Sequence, residues 1–142
     1  MTPIADSLVR TRIRAAEELL EASEVLLTRH GRIGVYLAGL AVECALKALV
    51  LSEVPSSQRN QVDNSQDFRG RGGHSYEDLR RMYRRQTGGR DIPVEWSRDL
   101  RYIAGLWSVE MRYQPKLLRE RDATAAWNAA SNLVTGIRRK IS

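Results

Sequence analysis

The stretch Tyr36-Leu37-Ala38-Gly39-Leu40-Ala41-Val42-Glu43-Cys44-Ala45-Leu46-Lys47-Ala48-Leu49 constrains the fold more than any other part of the chain. From Gly34 to Leu51 the only charges are Glu43 and Lys47. They stand four apart with Glu first, the favourable order for a helical ion pair. Apolar residues occupy nearly every other direction around the axis. A helix that is apolar almost all round has to be covered by neighbours or by a second subunit. The segment therefore reads as the central helix of a bundle, with one polar stripe of Tyr36, Glu43 and Lys47. A single small bundle is not expected to cover it fully, which gives the expectation of a homodimer. It is not read as a membrane span, because the apolar run is short and carries charge.

The remaining sequence supplies the other helices. A first helix is expected from about Ser7 to Arg29, with Leu8, Ala15, Leu19, Ala22 and Leu26 at helical spacing and Asp6 or Ser7 as cap. A short turn at Gly31 leads to the central helix, about Ile33 to Glu53, and so to an antiparallel hairpin. Val54 to Gly73 is polar, begins with Pro55, and reads as a long loop, either functional or disordered. A third helix starts at the cap candidate Ser75, buries Tyr76, Leu79 and Tyr83, exposes Arg80, Arg81, Arg84 and Arg85, and stops at Gly88-Gly89. A fourth follows Pro93 with the stripe Trp96, Leu100, Ile103 and Trp107, and Pro115 breaks it. A fifth opens near Asp122 or Thr124, with Ala123, Trp127, Ala130, Val134, Ile137 and Ile141 on one side. No useful strand alternation occurs. The expected fold is all-α: one domain over residues 1–142, an up-and-down bundle of four to five helices.

Charge adds a hint about partners. The chain carries 23 basic against 17 acidic residues, a net +6. Only Lys47, Lys116 and Lys140 are lysines; the other basic residues are arginines. Arginine binds phosphate bidentately and stacks on bases, which favours a nucleic-acid partner. An arginine bias of genomic origin explains the composition equally well. Cys44 is the single cysteine, so an intramolecular disulfide is excluded, and its apolar neighbours suggest an inert thiol. One cysteine and two histidines do not make a Cys/His zinc site, and no metal or cofactor is expected. Met1 to Arg14 is polar and Arg-bearing, unlike a signal peptide, so the expected location is the cytoplasm.

The residues from Tyr36 to Leu49 resemble the second-helix signature of the HEPN domain family: an aromatic, small and apolar residues, Glu, then Ala-Leu-Lys-Ala-Leu. The later landmarks have the family's order, with His74, Asp78 and Leu79 after a variable loop and Trp107, Arg112 and Tyr113 near the end. The resemblance covers about residues 7 to 140. It implies a bundle of four or five helices, usually a homodimer. Many members pair with a minimal nucleotidyltransferase as toxin and antitoxin. Others are defence ribonucleases, and others are non-catalytic and bind nucleotide or RNA.

Catalytic members carry an Arg, four to six residues, then His, and some toxins add a Tyr two places on. Arg69-Gly70-Arg71-Gly72-Gly73-His74-Ser75-Tyr76 matches that form. In so arginine-rich a chain, an Arg four to six residues before a His is expected about 0.9 times by chance; the four-residue gap and the Tyr lower this to about 0.01. Gly70 stands where ribonuclease members often have Asn or Asp. The chemistry suits RNA cleavage. His74 would handle protons at neutral pH. Arg69 would meet the charge developing on the phosphoryl oxygens. The competing reading makes His74 a helix-capping or packing residue and Arg69 a solvated loop residue. Tyr76 is either core, which its place at the head of the third-helix stripe favours, or the hydroxyl that a partner nucleotidyltransferase modifies with AMP. Glu43 and Lys47 are either a structural pair, favoured by their spacing, or a pocket wall. Arg112 reaches a phosphate or Glu43, with Tyr113 beside it as the family's late landmark. The expected function is an RNA- or nucleotide-directed HEPN-like protein, in its catalytic form a metal-independent ribonuclease toxin. The alternatives are a non-catalytic module that binds nucleotide or a nucleotidyltransferase partner, and a structural helical adaptor.

Overall fold

Twenty-three residues, Gly31–Glu53, form the helix around which the others pack (α2). The structure is a computed structural model and describes residues 6–107 and 118–142. In chain order the helices are α1 (Ser7–Leu26), α2, α3 (Arg59–Asp63), α4 (Gln66–Arg69), α5 (Tyr76–Gln86), α6 (Val94–Leu106) and α7 (Glu120–Ile141). Two 3-10 turns, Ser56–Gln58 and Arg71–His74, complete the connections. The described residues are helical with no strand, as the sequence predicts.

α1 and α2 form the hairpin. Asp6 caps α1 by accepting the N–H groups of Leu8 and Val9, both at 3.0 Å. Arg59 joins the two helix ends: it pairs with Asp6 at 2.9 Å and donates to the Val54 carbonyl at 2.8 Å. The buried line of α1 is Val9, Ile13, Ala16 and Ser23, rotated from the expected stripe, so that Ala22 is exposed. The cause is Ser23. Its hydroxyl donates to the Leu20 carbonyl at 2.6 Å and so enters the core satisfied, which hydropathy does not register.

α2 is long and apolar enough to cross a membrane, so shortness is not what marks it as a core helix. Burial does: 72% of its most apolar window lies inside the bundle. α1, α5 and α7 pack on it. The single chain buries most of α2 but leaves Tyr36, Leu37, Leu40 and Cys44 on it only partly buried.

The polar stretch 54–73 forms short helical turns rather than an irregular loop. Phe68, the chain's one phenylalanine, anchors it and is fully buried. α5 is capped as expected, Ser75 accepting the Asp78 N–H at 3.2 Å. Gly88 and Gly89 take φ of 72° and 101°, and the Gly89 N–H reaches back to the Arg84 carbonyl at 2.8 Å.

Asp91 then clips the turn to α5, accepting from Arg80 at 2.8 and 2.9 Å and from Arg84 at 2.9 Å. These arginines hold its carboxyl well below the ordinary 3.8. A carboxyl held low in the folded chain stabilises it above the unfolded value and loses that contribution as pH falls. The side chain is half-exposed, so the effect is modest. Asp91→Asn should be less stable than wild type at neutral pH, and the gap should narrow progressively below about 3.8. Urea unfolding across that range checks it; a gap independent of pH would remove the ion pairs from the account.

Candidate functional site

The polar stripe of α2 points at the turn that precedes α5. Glu43 and Lys47 are both inside the protein, their side chains only 8% and 6% exposed. Lys47 Nζ donates to Glu43 Oε2 at 2.9 Å. The second carboxylate oxygen, Oε1, lies 2.9 Å from His74 Nδ1. A carboxylate can only accept, so Nδ1 carries the hydrogen and Nε2 is left as the basic nitrogen of the ring. The imidazole is 46% exposed. Glu43 thus has one oxygen on a buried cation and the other on an imidazole at the surface.

The backbone dictates this placement. A Cβ on Gly73 would run into the Phe68 carbonyl, so the residue before His74 has to be glycine. The buried Phe68 ring carries Lys47 Nζ at 5.7 Å and the Arg12 guanidinium at 5.9 Å from its centroid, a cation–π seat for both. Arg12 in turn donates to Asp63 Oδ1 at 2.8 and 3.0 Å. Asp63 is buried and also faces Arg69, whose guanidinium is 3.9 Å from Oδ2. Two ionic networks, Lys47–Glu43–His74 and Arg12–Asp63–Arg69, therefore meet across Phe68.

No family model, curated protein or solved structure matches this chain. The chemistry of the site has to be argued from its own residues.

Of the residues singled out in the sequence, Glu43, Lys47 and His74 come together. Arg69 does not join them directly. It hangs from Asp63, 57% exposed, with no hydrogen bond to His74. Tyr76 lies in the core. Its hydroxyl donates to the Gly39 carbonyl at 2.7 Å, and its ring stacks on Trp107 at 5.1 Å. Burial, reinforced by Glu43, pushes its phenol well above the usual range. An AMP-transferring partner would meet this hydroxyl only after the start of α5 opened. Trp107 is core as expected, its indole N–H on the Tyr36 carbonyl at 3.0 Å and its ring 6.4 Å from that of Tyr36. Burial raises the Cys44 thiol above its ordinary value, which keeps it protonated and unreactive. Arg112 and Tyr113 lie outside the described residues.

Arg12 and Asp63 are the members that sequence reasoning missed. They are 51 positions apart, one on an exposed-looking helix and one in a polar stretch. The available signal was Phe68, a lone large apolar residue in that stretch, which had to be buried against something.

Proposed function

We propose that this chain is an HEPN-like, RNA-directed helical protein that cleaves RNA without a metal, with His74 as the proton carrier. The observation that carries the proposal is the 2.9 Å contact between Glu43 Oε1 and His74 Nδ1 on a half-exposed ring. It fixes the tautomer and aims a basic nitrogen away from the buried carboxylate, the arrangement general acid–base catalysis requires. In the proposed step the ribose 2′-oxygen attacks phosphorus as its proton passes to His74 Nε2. The bond from phosphorus to the 5′-oxygen breaks, and that oxygen takes a proton from water. The products are a 2′,3′-cyclic phosphate and a 5′-hydroxyl. Arg69, exposed and held only by a long contact to Asp63, is free to turn onto the phosphoryl oxygens. Lys47 is a poor phosphate ligand here, because it is buried and paired to Glu43.

A non-catalytic module that binds nucleotide or a nucleotidyltransferase partner is the second reading. The observation in its favour is that Arg69 is held by Asp63 and not beside His74. A structural adaptor would need a continuous apolar patch. Among the described residues the large exposed apolar side chains are Val25 on α1 and Val94 and Tyr102 on α6.

The deciding experiment is cleavage of mixed RNA by the purified protein in EDTA, with His74→Ala alongside. Wild type should leave cyclic phosphate ends, and His74→Ala should lose about 10²–10⁴-fold while remaining folded. Equal cleavage by both proteins would remove His74 from the chemistry. Salt-sensitive RNA binding with no cleavage over a broad panel would establish the binding module instead.

A further inference from the structure

The buried carboxylate of Asp63 faces two arginines and holds them unequally. Arg12 Nε and Nη2 both donate to Oδ1, at 3.0 and 2.8 Å. Oδ2 accepts no hydrogen bond among the described residues; Arg69 Nη2 stands 3.9 Å from it, beyond hydrogen-bond reach. Exposure differs in the same sense, 23% for the Arg12 side chain and 57% for that of Arg69. Asp63 is also fixed in place by α1. Asp6, the α1 cap, pairs with Arg59 at the start of α3, and Arg12 of α1 pairs with Asp63 at its end. The two pairs have opposite polarity, so a slide of α3 along α1 would set like charges together. Arg12 is held in turn by the Phe68 ring, 5.9 Å from its guanidinium. The carboxylate therefore cannot follow Arg69 outward, and the contact can tighten only if Arg69 closes on it.

We propose that Arg12 is a positioning residue for Arg69: by occupying Asp63 it keeps the contact to Arg69 long and leaves that guanidinium available to a phosphoryl oxygen. A carboxylate without another partner takes a neighbouring guanidinium in a charge-assisted, two-bond pair. With Arg12 in place, the charge of Asp63 is already balanced. Arg69 then gains too little to give up its hydration and side-chain freedom, as is general for exposed ion pairs. Without Arg12, Arg69 is the cation left to Asp63 among the described residues. It closes on the carboxylate and is withheld from phosphate. Without the charge of Asp63, Arg69 is released instead. These two changes break the same salt bridge and yet move Arg69 in opposite directions. A purely structural role for the Arg12–Asp63 pair predicts the same direction for both. The consequence for cleavage rests on the reading of Arg69 as the phosphate-facing cation of the site; the competition for Asp63 does not.

The test follows the Arg69 side-chain Nε–H signal of the full chain by nitrogen relaxation, the signal being assigned by its loss in Arg69→Lys. Wild type should show a guanidinium in rapid motion, Arg12→Met an ordered one with a shifted signal, and Asp63→Asn one at least as mobile as wild type. RNA cleavage in EDTA should fall about tenfold or more in Arg12→Met and should not fall in Asp63→Asn. In an Arg69→Ala background, Arg12→Met should cost nothing further. Arg12→Met leaves a buried carboxylate short of a partner and is the variant most at risk of unfolding. Arg12→Lys, which keeps the charge without the fork, gives a milder step in the same direction. An Arg69 guanidinium already rigid in wild type would overturn the proposal. So would Arg69 signals that move the same way in the Arg12 and Asp63 variants, or an Arg12 loss that adds in full to that of Arg69→Ala. A wild type that cleaves no RNA would overturn the reading of the site, and the relaxation comparison would still decide whether Arg12 governs Arg69.

Discussion

Gly39→Ala is expected to destabilise the fold by about 3–5 kcal/mol, although an alanine is normally the better helix residue. Gly39 sits in the middle of α2, where replacing glycine by alanine gains up to about 1 kcal/mol from propensity alone. The opposing effect is steric. A Cβ at this position would overlap the indole of Trp107. That ring has no easy retreat. Tyr76 stacks on it at 5.1 Å with an interplanar angle of 10°, and its N–H is bonded to the Tyr36 carbonyl. The added methyl must therefore displace the end of α6 or break the stack, with loss of the Tyr76 hydrogen bond to Gly39 itself. Urea unfolding should show a lower midpoint at unchanged slope. Trp107→Ala should also be costly, and the double variant should cost clearly less than the sum, because the clash disappears with the ring. An additive pair, or a Gly39→Ala variant as stable as wild type, would show that the indole does not rest on this glycine.

The same residues mark what the sequence could and could not reveal. Helical periodicity is local, so the burial of Leu79 and Tyr83 in α5, of Leu100 and Ile103 in α6 and of Val134 and Ile137 in α7 was legible from spacing alone. It failed in α1, where Ser23 takes a core seat that hydropathy would have given to a neighbour. The stretch 54–73 reads as a loop because its residues are polar. It gains its turns from contacts made elsewhere, Phe68 in the core and Asp63 on Arg12. In the candidate site, the Glu43–Lys47 pair was visible as a four-residue spacing, and Tyr76 was visible as core. The bond that gives the site its chemistry was not. Glu43 and His74 are 31 positions apart, and nothing in either neighbourhood names the other.

That bond leads to the second large effect. Glu43→Ala should destabilise the chain by about 3–5 kcal/mol, since it leaves the Lys47 ammonium buried without its partner. Lys47→Met should cost a comparable amount, because Glu43 would keep only the imidazole contact. Replacing both, as Glu43→Met with Lys47→Met, removes two desolvated charges together and keeps the volume apolar. Such replacements are often neutral or stabilising by about 1–4 kcal/mol. The double variant should therefore melt near wild type. If the ion pair exists only to hold α2 in the bundle, recovery of stability should bring recovery of everything else. If Glu43 positions His74, the refolded double variant should still have lost most RNA cleavage, since Nδ1 has no acceptor to fix the ring. Glu43→Gln separates charge from geometry. Its amide oxygen can still accept from Nδ1, so it should keep more activity than the double variant while being less stable. A stable double variant with full cleavage would reduce Glu43 to a structural residue. Loss of cleavage in a chain as stable as wild type would assign the carboxylate to the orientation of the imidazole.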